Sequence, residues 1–281
     1  MPKYQHIHNQ SVLNKLGIIG FGNIAKAIVT PLLEKDILKP DQIFCLVKTN
    51  KSLNDIRNSY PYKINVYQTD SKESKLVWDT SVKLLSVKPQ QLEDLRELSI
   101  NKNKDNTIVS ILAGVSLRRL EEKFPNHNCV RAITNIPILI GKGITGITWG
   151  LKINEDKKKF IKNIFKTSSK IYEMPEDYLD IFLALTSSSP AIIALIIDSL
   201  GDGGLSGGLN KKLSEELVIE MILGTILLLK ESNISITELR NMVTSPGGTT
   251  ISALNTLEKS SFRSILIEAI LAARNRSKEF R

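Results

Sequence analysis

The chain has 281 residues, of which 42% are hydrophobic and 24% charged, with 16 glycines and 10 prolines. This composition is typical of a soluble globular protein and excludes a disordered chain, a collagen and a disulfide scaffold. Residues 1–15 lack the apolar core of a secretory peptide, so we expect them to be a polar lead-in. The longest apolar run, 217–229, is too short to cross a bilayer of about 30 Å, which predicts a cytoplasmic protein without a membrane partner.

The net charge of +9 is distributed unevenly. Residues 1–174 carry +12 (28 basic against 16 acidic residues), whereas residues 175–281 carry −3 (10 against 13), which predicts two units with different roles. The lysines stand singly or in short runs such as Lys157-Lys158-Lys159. A protein that follows a phosphate backbone would need a basic arm or an aromatic-basic stripe, so we expect no nucleic-acid partner.

The cysteines and histidines do not predict a metal site. Cys45 and Cys129 have no cysteine or histidine at metal-ligand spacing, and the three histidines are His6, His8 and His127. We expect both cysteines to be buried and structural.

Short apolar runs alternate with segments long enough for a helix or a turn from residue 16 onward. The predicted strands are 16–20, 43–47, 65–67, 84–87, 107–112, 129–133, 145–149 and 170–174. This alternation predicts an α/β domain over residues 1–174, with a doubly wound, mostly parallel sheet.

The carboxyl-terminal part has a different pattern. Between residues 177 and 280 apolar side chains recur at three- and four-residue spacing, which predicts helices, with breaks at Ser189-Pro190, 201–208 and Pro246-Gly247-Gly248. The predicted helices 191–200 and 217–229 are apolar around most of their circumference, more than a bundle of about 100 residues can bury. We therefore expect residues 175–281 to form an all-α dimerisation domain that packs against a second copy.

The strongest single motif follows the first predicted strand. Gly20-Phe21-Gly22-Asn23-Ile24-Ala25 fits the G-x-G-x-x-A pattern of a Rossmann-type dinucleotide site, between an apolar strand and a helix. Gly20 permits the tight turn, Gly22 lets a pyrophosphate approach the backbone, and the helix amino terminus favours negative charge. The alternative is a glycine-rich turn without a ligand.

The end of the second strand indicates which coenzyme is bound. Val47-Lys48-Thr49-Asn50-Lys51-Ser52 contains no carboxylate to hold a ribose 2′-hydroxyl, whereas lysines, hydroxyls and an amide suit a 2′-phosphate. We predict NADPH as the coenzyme, with NADH as the alternative. The alternative interpretation is that Lys48 and Lys51 are solvated loop residues that bind no phosphate.

Further segments resemble one family in the same order along the chain. Ser86-Val87-Lys88-Pro89-Gln90, residues 110–115 (SILAGV) and Arg131-Ala132-Ile133-Thr134-Asn135-Ile136-Pro137 are similar to segments of the pyrroline-5-carboxylate reductases. Residues 239–254 (LRNMVTSPGGTTISAL) resemble the signature of that family almost residue for residue. The resemblance extends from Leu16 to about Arg274.

This resemblance implies NADPH-dependent reduction of 1-pyrroline-5-carboxylate to L-proline, the last step of proline biosynthesis, in a homodimer or a larger assembly of dimers. It implies that the Thr250 hydroxyl is the catalytic contact to the imine nitrogen, and that the substrate carboxylate lies in the loop formed by Ser245, Gly247, Gly248, Thr249 and Thr250. The coenzyme contacts are predicted to be Gly20, Phe21, Gly22, Asn23, Ile24, Lys48, Thr49, Asn50, Val87, Lys88, Pro89, Ala113 and Asn135.

Several residues depart from the family pattern. Ser187 and Ser189 replace glycines, Ile192 replaces an aromatic residue and Thr134 replaces a proline. Glycine serves where a chain turns with positive φ or approaches a ligand, so side chains at these positions predict a changed backbone or a narrower pocket. A reductase of another cyclic imine and a catalytically silent NADP-binding homologue stay open, as does a helix start capped by Ser245 or Thr249.

Overall fold

The computed structural model describes residues 15–97 and 106–279, which divide into two compact units. The first contains the described residues up to Ser187 together with those from Arg274 onward, and the second is Ser188–Ala273. The predicted lead-in lies outside the described residues, apart from Lys15.

An eight-stranded sheet forms the centre of the first unit, in the order β3-β2-β1-β4-β5-β6-β7-β8. All neighbouring strands are parallel except β6 and β7. The strands are β1 Leu16–Ile19, β2 Ile43–Val47, β3 Asn65–Gln68, β4 Val82–Leu85, β5 Thr107–Ser110, β6 Asn128–Thr134, β7 Gly143–Trp149 and β8 Ser169–Glu173. The predicted doubly wound, mostly parallel sheet is confirmed.

Helices cover both faces of the sheet because successive strand residues point to opposite sides. Ile18 belongs to one buried cluster and Ile19 to the other; Cys45 and Cys129, both buried as predicted, are likewise divided between the clusters. The helices of this unit are α1 Asn23–Glu34, α2 Asn50–Ser59, α3 Lys75–Trp78, α4 Leu117–Lys123, α5 Glu155–Lys166 and α6 Leu179–Leu183.

The second unit is helical. Its elements are α7 Ser189–Ser206, α8 Lys211–Glu231, α9 Ile236–Met242, α10 Thr249–Lys259 and α11 Phe262–Lys278, the last of which ends in the first unit.

Of the predicted breaks in this region, the one at Ser189-Pro190 is wrong and the one at 201–208 begins later than its first glycine. At Ser189-Pro190 a π-helical turn, Ala184–Ser188, carries the chain into α7, and proline is tolerated at a helix start because its missing N–H would have no partner there. The helix continues through Gly201, Gly203 and Gly204 and ends at Ser206, within the predicted break. A methyl group on Gly204 would lie 2.6 Å from the Ser214 hydroxyl on α8, so a glycine allows the close helix–helix contact.

The segment Glu176–Ser206 is long and apolar enough to cross a membrane by length and composition. Only 11% of its most apolar window is buried within this chain, so its side chains are largely uncovered. The run 217–229 is therefore not the longest apolar element, because the π turn joins segments that the sequence pattern separated. One such helix is weak evidence for a membrane span, since an uncovered apolar face also serves a partner helix.

A buried lysine in β4 predicts a pH-dependent stability. Burial lowers the pKa of Lys83 from 10.5 to about 7, while the Glu97 and Asp79 carboxylates partly offset this effect. The unfolded chain keeps this proton up to about pH 10.5, so the free energy of unfolding should rise between pH 7 and 10.5, by at most about 1.4 kcal/mol per pH unit. Urea unfolding of the wild type and of Lys83→Met between pH 7 and 10 measures this slope. An equal slope in both proteins would contradict the assignment to Lys83.

Candidate active site

The turn after β1 connects three neighbouring strands at their carboxyl ends. Gly20 has φ +88°, and a methyl group there would lie 2.7 Å from the Ser86 carbonyl oxygen. Its N–H donates to Leu46 O at 2.9 Å, and the Ser86 N–H donates to Ile19 O at 2.9 Å. Only glycine fits this turn, which holds the carboxyl ends of β1, β2 and β4 together.

Gly22 leaves open space at the amino terminus of α1. It is the N-cap, with extended backbone (φ −81°), and a methyl group there would meet no described atom within 4 Å. Asn23 and Ile24 form the first turn of the helix. The unpaired N–H groups of this turn can therefore receive an anion such as a pyrophosphate. The Phe21 ring is buried and packs edge-on against Tyr60 at 5.1 Å.

A cleft of about 980 Å³ opens beside these glycines. It lies at the carboxyl ends of β1, β2 and β4, where the strand order reverses, the usual place for a ligand in an open α/β sheet. Six of the predicted coenzyme residues line it: Gly20, Phe21, Gly22, Lys48, Val87 and Lys88.

The other predicted coenzyme residues do not line this cleft. Pro89 begins the 3-10 turn Pro89–Gln91 after β4, and Ala113 is exposed in the turn after β5. Thr49 and Asn50 stand at the start of α2. Their predicted contacts, like those of Asn23, Ile24 and Asn135, stay predictions.

Several cleft residues were not predicted. Thr69 and Asp70 directly follow β3, so the rule that ligands lie beyond the carboxyl ends of parallel strands would have indicated them. Some of the remaining ones adjoin the predicted motifs, whereas Trp78 and the residues from Gln91 to Arg96 have no local motif and reach the cleft through the path of the loops. The remaining residues are Ser52, Trp78, Gln91, Glu93, Asp94, Leu95 and Arg96, together with Ile19, Leu46, Val47 and Ser86 from the strand ends.

The start of α2 presents hydroxyl, amide and cationic groups. Thr49 caps the helix: its hydroxyl accepts from the Ser52 N–H at 3.1 Å and donates to the Ser52 hydroxyl at 2.9 Å. The first turn contains no carboxylate. Lys48, directly after β2, is exposed and its ammonium lies 3.6 Å from the Asp94 carboxylate. A 2′-phosphate would meet an unpaired helix terminus and a lysine here.

Polar groups fasten the end of β6 to the π turn. The Asn135 side chain accepts from the Ile144 N–H at 2.8 Å and donates to Thr186 O at 3.1 Å. The Ser187 hydroxyl donates to Thr134 O at 3.0 Å. The structure thus gives the Asn135 amide a positioning role that the sequence did not indicate.

Ser187 and Ser189, which replace family glycines, do not have a positive φ. Among the described residues, the non-glycine positions with positive φ are Asp36 and Ser261, so neither Ser187 nor Ser189 needs a glycine conformation. Whether these side chains change the backbone or narrow the pocket relative to the family, as expected, stays a prediction. Because the Ser187 hydroxyl is directed at β6, its side chain has a structural partner.

The loop before α10 lies in the second unit. Gly247 has φ +72°, and the Gly248 N–H donates to Ser245 O at 3.1 Å, which closes a turn. Gly248 is the N-cap of α10, with no side-chain cap at this position of the described chain, so neither Ser245 nor Thr249 caps the helix. The first-turn N–H groups of Thr249 and Thr250 could therefore receive an anion at this helix amino terminus.

Comparison with known proteins agrees with both halves of the chain. Residues 176–280 match the family model for pyrroline-5-carboxylate reductase dimerisation, and residues 15–114 match that for NADP oxidoreductases, coenzyme F420-dependent. The pyrroline-5-carboxylate reductase of Synechocystis sp. is 36% identical to this chain, over 94% of this chain and 97% of its own length. That of Arabidopsis thaliana is 32% identical, over 94% of this chain and 95% of its own length.

A solved structure shows the same fold. The pyrroline carboxylate reductase of Plasmodium falciparum, with NADP bound, has a TM-score of 0.80 and 27% identity, over 95% of this chain and 97% of its own. A Rossmann-type sheet with a glycine turn, a nucleotide-sized cleft and a helical dimerisation domain define an NAD(P)H-dependent oxidoreductase. The chain belongs to the pyrroline-5-carboxylate reductase family.

Proposed function

We propose that this protein reduces 1-pyrroline-5-carboxylate to L-proline with NADPH, the last step of proline biosynthesis. The observation that carries the proposal is the 36% identity to a pyrroline-5-carboxylate reductase over 94% of the chain. The cleft beside Gly20 and Gly22 and the glycine loop before α10 support it, since they offer the two anion sites that the reaction needs.

The residues of this chain bind and orient the substrate and coenzyme and contribute little acid–base chemistry. When bound, the nicotinamide supplies the hydride, which adds to the imine carbon while the protonated ring nitrogen becomes an amine. The amides of Gly248, Thr249 and Thr250 hold the substrate carboxylate, with Ser245 and Gly247 shaping the loop. The Thr250 hydroxyl accepts a hydrogen bond from the ring nitrogen and thereby stabilises its positive charge.

At the other end of the coenzyme, the start of α2 supports NADPH over NADH. Lys48 lines the cleft, Thr49 and Asn50 follow it at the start of α2, and no carboxylate follows β2 before Asp55, so this segment suits a ribose 2′-phosphate. Val87, Lys88 and Pro89 after β4, with Ala113 and Asn135 nearer the carboxyl ends of β5 and β6, complete the proposed coenzyme contacts.

The protein is proposed to act as a cytoplasmic homodimer or an assembly of dimers, with residues 1–174 binding the dinucleotide and residues 175–281 binding substrate and forming the dimer. Exposed leucines and isoleucines along α7 and α8, such as Leu195 (66% exposed) and Leu217 (51%), support a partner helix from a second copy.

The direct test is the loss of NADPH absorbance when the purified protein is mixed with racemic pyrroline-5-carboxylate, with NADH in a parallel assay. Oxidation that is faster with NADPH would support reaction, substrate and coenzyme together. NADPH binding by fluorescence without oxidation would contradict the proposed substrate and favour another cyclic imine.

Thr250→Ala should lower kcat/KM about two- to tenfold and leave the affinity for NADPH nearly unchanged, since one hydrogen bond of about 0.5–1.5 kcal/mol is lost at the imine. Steady-state kinetics and a fluorescence titration measure the two quantities.

Two variants serve as controls. Thr249→Ala keeps the backbone amide that holds the carboxylate, so kcat/KM should stay within about twofold. Thr250→Ser keeps the hydroxyl and should recover most of the rate. A Thr250→Ala variant that loses NADPH affinity as much as kcat/KM would argue against the assigned role.

A further inference from the structure

Lys48 and Asp94 form an ion pair at the rim of the coenzyme cleft. Lys48 follows β2, whereas Asp94 lies in the loop after β4, so the fold brings them together from separate parts of the chain. The ammonium and carboxylate are 3.6 Å apart, and the side chains are 67% and 68% exposed. Both residues line the cleft.

The neighbouring carboxylate, Glu93, is engaged elsewhere although it also lines the cleft. It accepts from the Arg119 guanidinium at 2.8 Å, and Lys123 lies 3.8 Å away. The Arg119 hydrogen bond, more than the charge of Lys123, lowers the pKa of Glu93. Asp94 is therefore the carboxylate of this loop that faces the lysine expected to bind the 2′-phosphate.

We propose that Asp94 is a selectivity-determining residue that lowers the preference for NADPH over NADH. This inference rests on the proposed function, in which Lys48 receives the coenzyme 2′-phosphate. That phosphate must displace Asp94 from Lys48 and then lie beside a carboxylate of the same sign, whereas the 2′-hydroxyl of NADH is uncharged.

The size of the effect follows from the exposure of the pair. An exposed pair at this distance contributes little, so breaking it is a small part of the effect. The larger part is repulsion between the Asp94 carboxylate and a phosphate of about −1.5 to −2 charges, which water and salt screen. Removing the carboxylate charge should therefore tighten NADPH binding by about three- to tenfold at low salt, and less at high salt.

The experiment compares Asp94→Asn with the unchanged full-length protein by fluorescence titration with NADPH and with NADH. Competition by 2′,5′-ADP and by 5′-AMP isolates the 2′-phosphate from the rest of the coenzyme. We expect tighter NADPH and 2′,5′-ADP binding, with NADH and 5′-AMP within about twofold. The matched control is Glu122→Gln, an exposed carboxylate that pairs with Arg118 and does not line the cleft, which should leave all four affinities within about twofold.

A double variant tests whether Asp94 acts through charge at the Lys48 site. Lys48→Gln should weaken NADPH binding. In the double variant Lys48→Gln with Asp94→Asn, the change in the free energy of NADPH binding should differ from the sum of the two single changes, because both side chains interact with the same phosphate.

The outcomes separate this inference from the proposed function. NADPH affinity that Asp94→Asn leaves unchanged, or equal tightening of both coenzymes, would overturn the role of Asp94 alone. Weaker NADH binding in Asp94→Asn would overturn phosphate repulsion as the cause, since Asp94 would then act by accepting a hydrogen bond from the ribose hydroxyl. Failure of the unchanged protein to bind NADPH would contradict the proposed function, and this inference with it.

Discussion

Gly22→Val should abolish NADPH binding while the chain without coenzyme unfolds at the same temperature as the wild type. The backbone at Gly22 suits any L-residue, and a methyl group there meets no described atom within 4 Å, so the fold tolerates a side chain. The same space is where the pyrophosphate reaches the amino terminus of α1. We expect affinity to fall by at least about a hundredfold, because the loss combines a steric clash with lost amide contacts. Fluorescence titration and thermal unfolding measure the two effects.

Gly20→Ala is the matched control because Gly20 is needed for the fold, whereas Gly22 is needed for the coenzyme. Its φ of +88° and the distance of 2.7 Å to the Ser86 carbonyl oxygen make even a methyl group costly to the fold. The melting temperature of this variant should fall whether or not coenzyme is present. If Gly22→Val lowered the melting temperature as much as Gly20→Ala does, the open space at Gly22 would not be a ligand site.

Arg131→Met should lower the free energy of unfolding by about 3–5 kcal/mol, because it leaves a buried carboxylate without its cation. Arg131 is fully buried in β6, with its guanidinium 3.0 Å from Glu176 and 3.7 Å from Asp180. Asp180 is also fully buried and accepts from the Ser277 hydroxyl at 2.9 Å. Urea unfolding at neutral pH measures the change.

Two further variants test the cause of this loss. Arg118→Met removes an arginine whose side chain is 87% exposed and pairs with Glu122, so stability should change by less than about 0.5 kcal/mol. Adding Asp180→Asn to Arg131→Met removes the uncompensated charge and should restore part of the stability. A double variant no more stable than Arg131→Met would indicate lost packing as the main cause.

Most strands were predictable because they are apolar and bounded by turn residues, whereas β3 and β8 contain more polar residues and were predicted from their place in the alternation. All eight predicted strands are present, with ends that differ by a few residues, since the pattern of burial is local to each strand. The helical half was less predictable. A proline indicated a break at residue 189, but a π turn before Pro190 keeps the helix continuous there. The break predicted at 201–208 begins only after Ser206, because close packing of Gly204 against α8 accommodates the earlier glycines within the helix.

The glycine turn and the loop before α10 were identified from sequence because short segments contain both the turn and the helix start. The contacts of Asn135 with Thr186 and of Ser187 with Thr134 could not be predicted, since these partners lie about fifty residues apart along the chain. Of the two charged residues that pair in the cleft, Lys48 could be predicted because it follows a recognisable strand. Asp94 could not, because no motif marks it and its partner lies far away along the chain.

The amino-acid sequence by itself determined the strand order along the chain, the dinucleotide turn at Gly20 and Gly22, and the likeness of residues 239–254 to the reductase signature. Those features depend on neighbouring residues, whose spacing sets local backbone geometry. Only the tertiary structure decided that Asp94 faces Lys48, that Ser187 fastens the π turn to β6, and that Arg131 joins Glu176 and Asp180. Each of these contacts unites residues more than forty positions apart, and chain folding alone determines their distance.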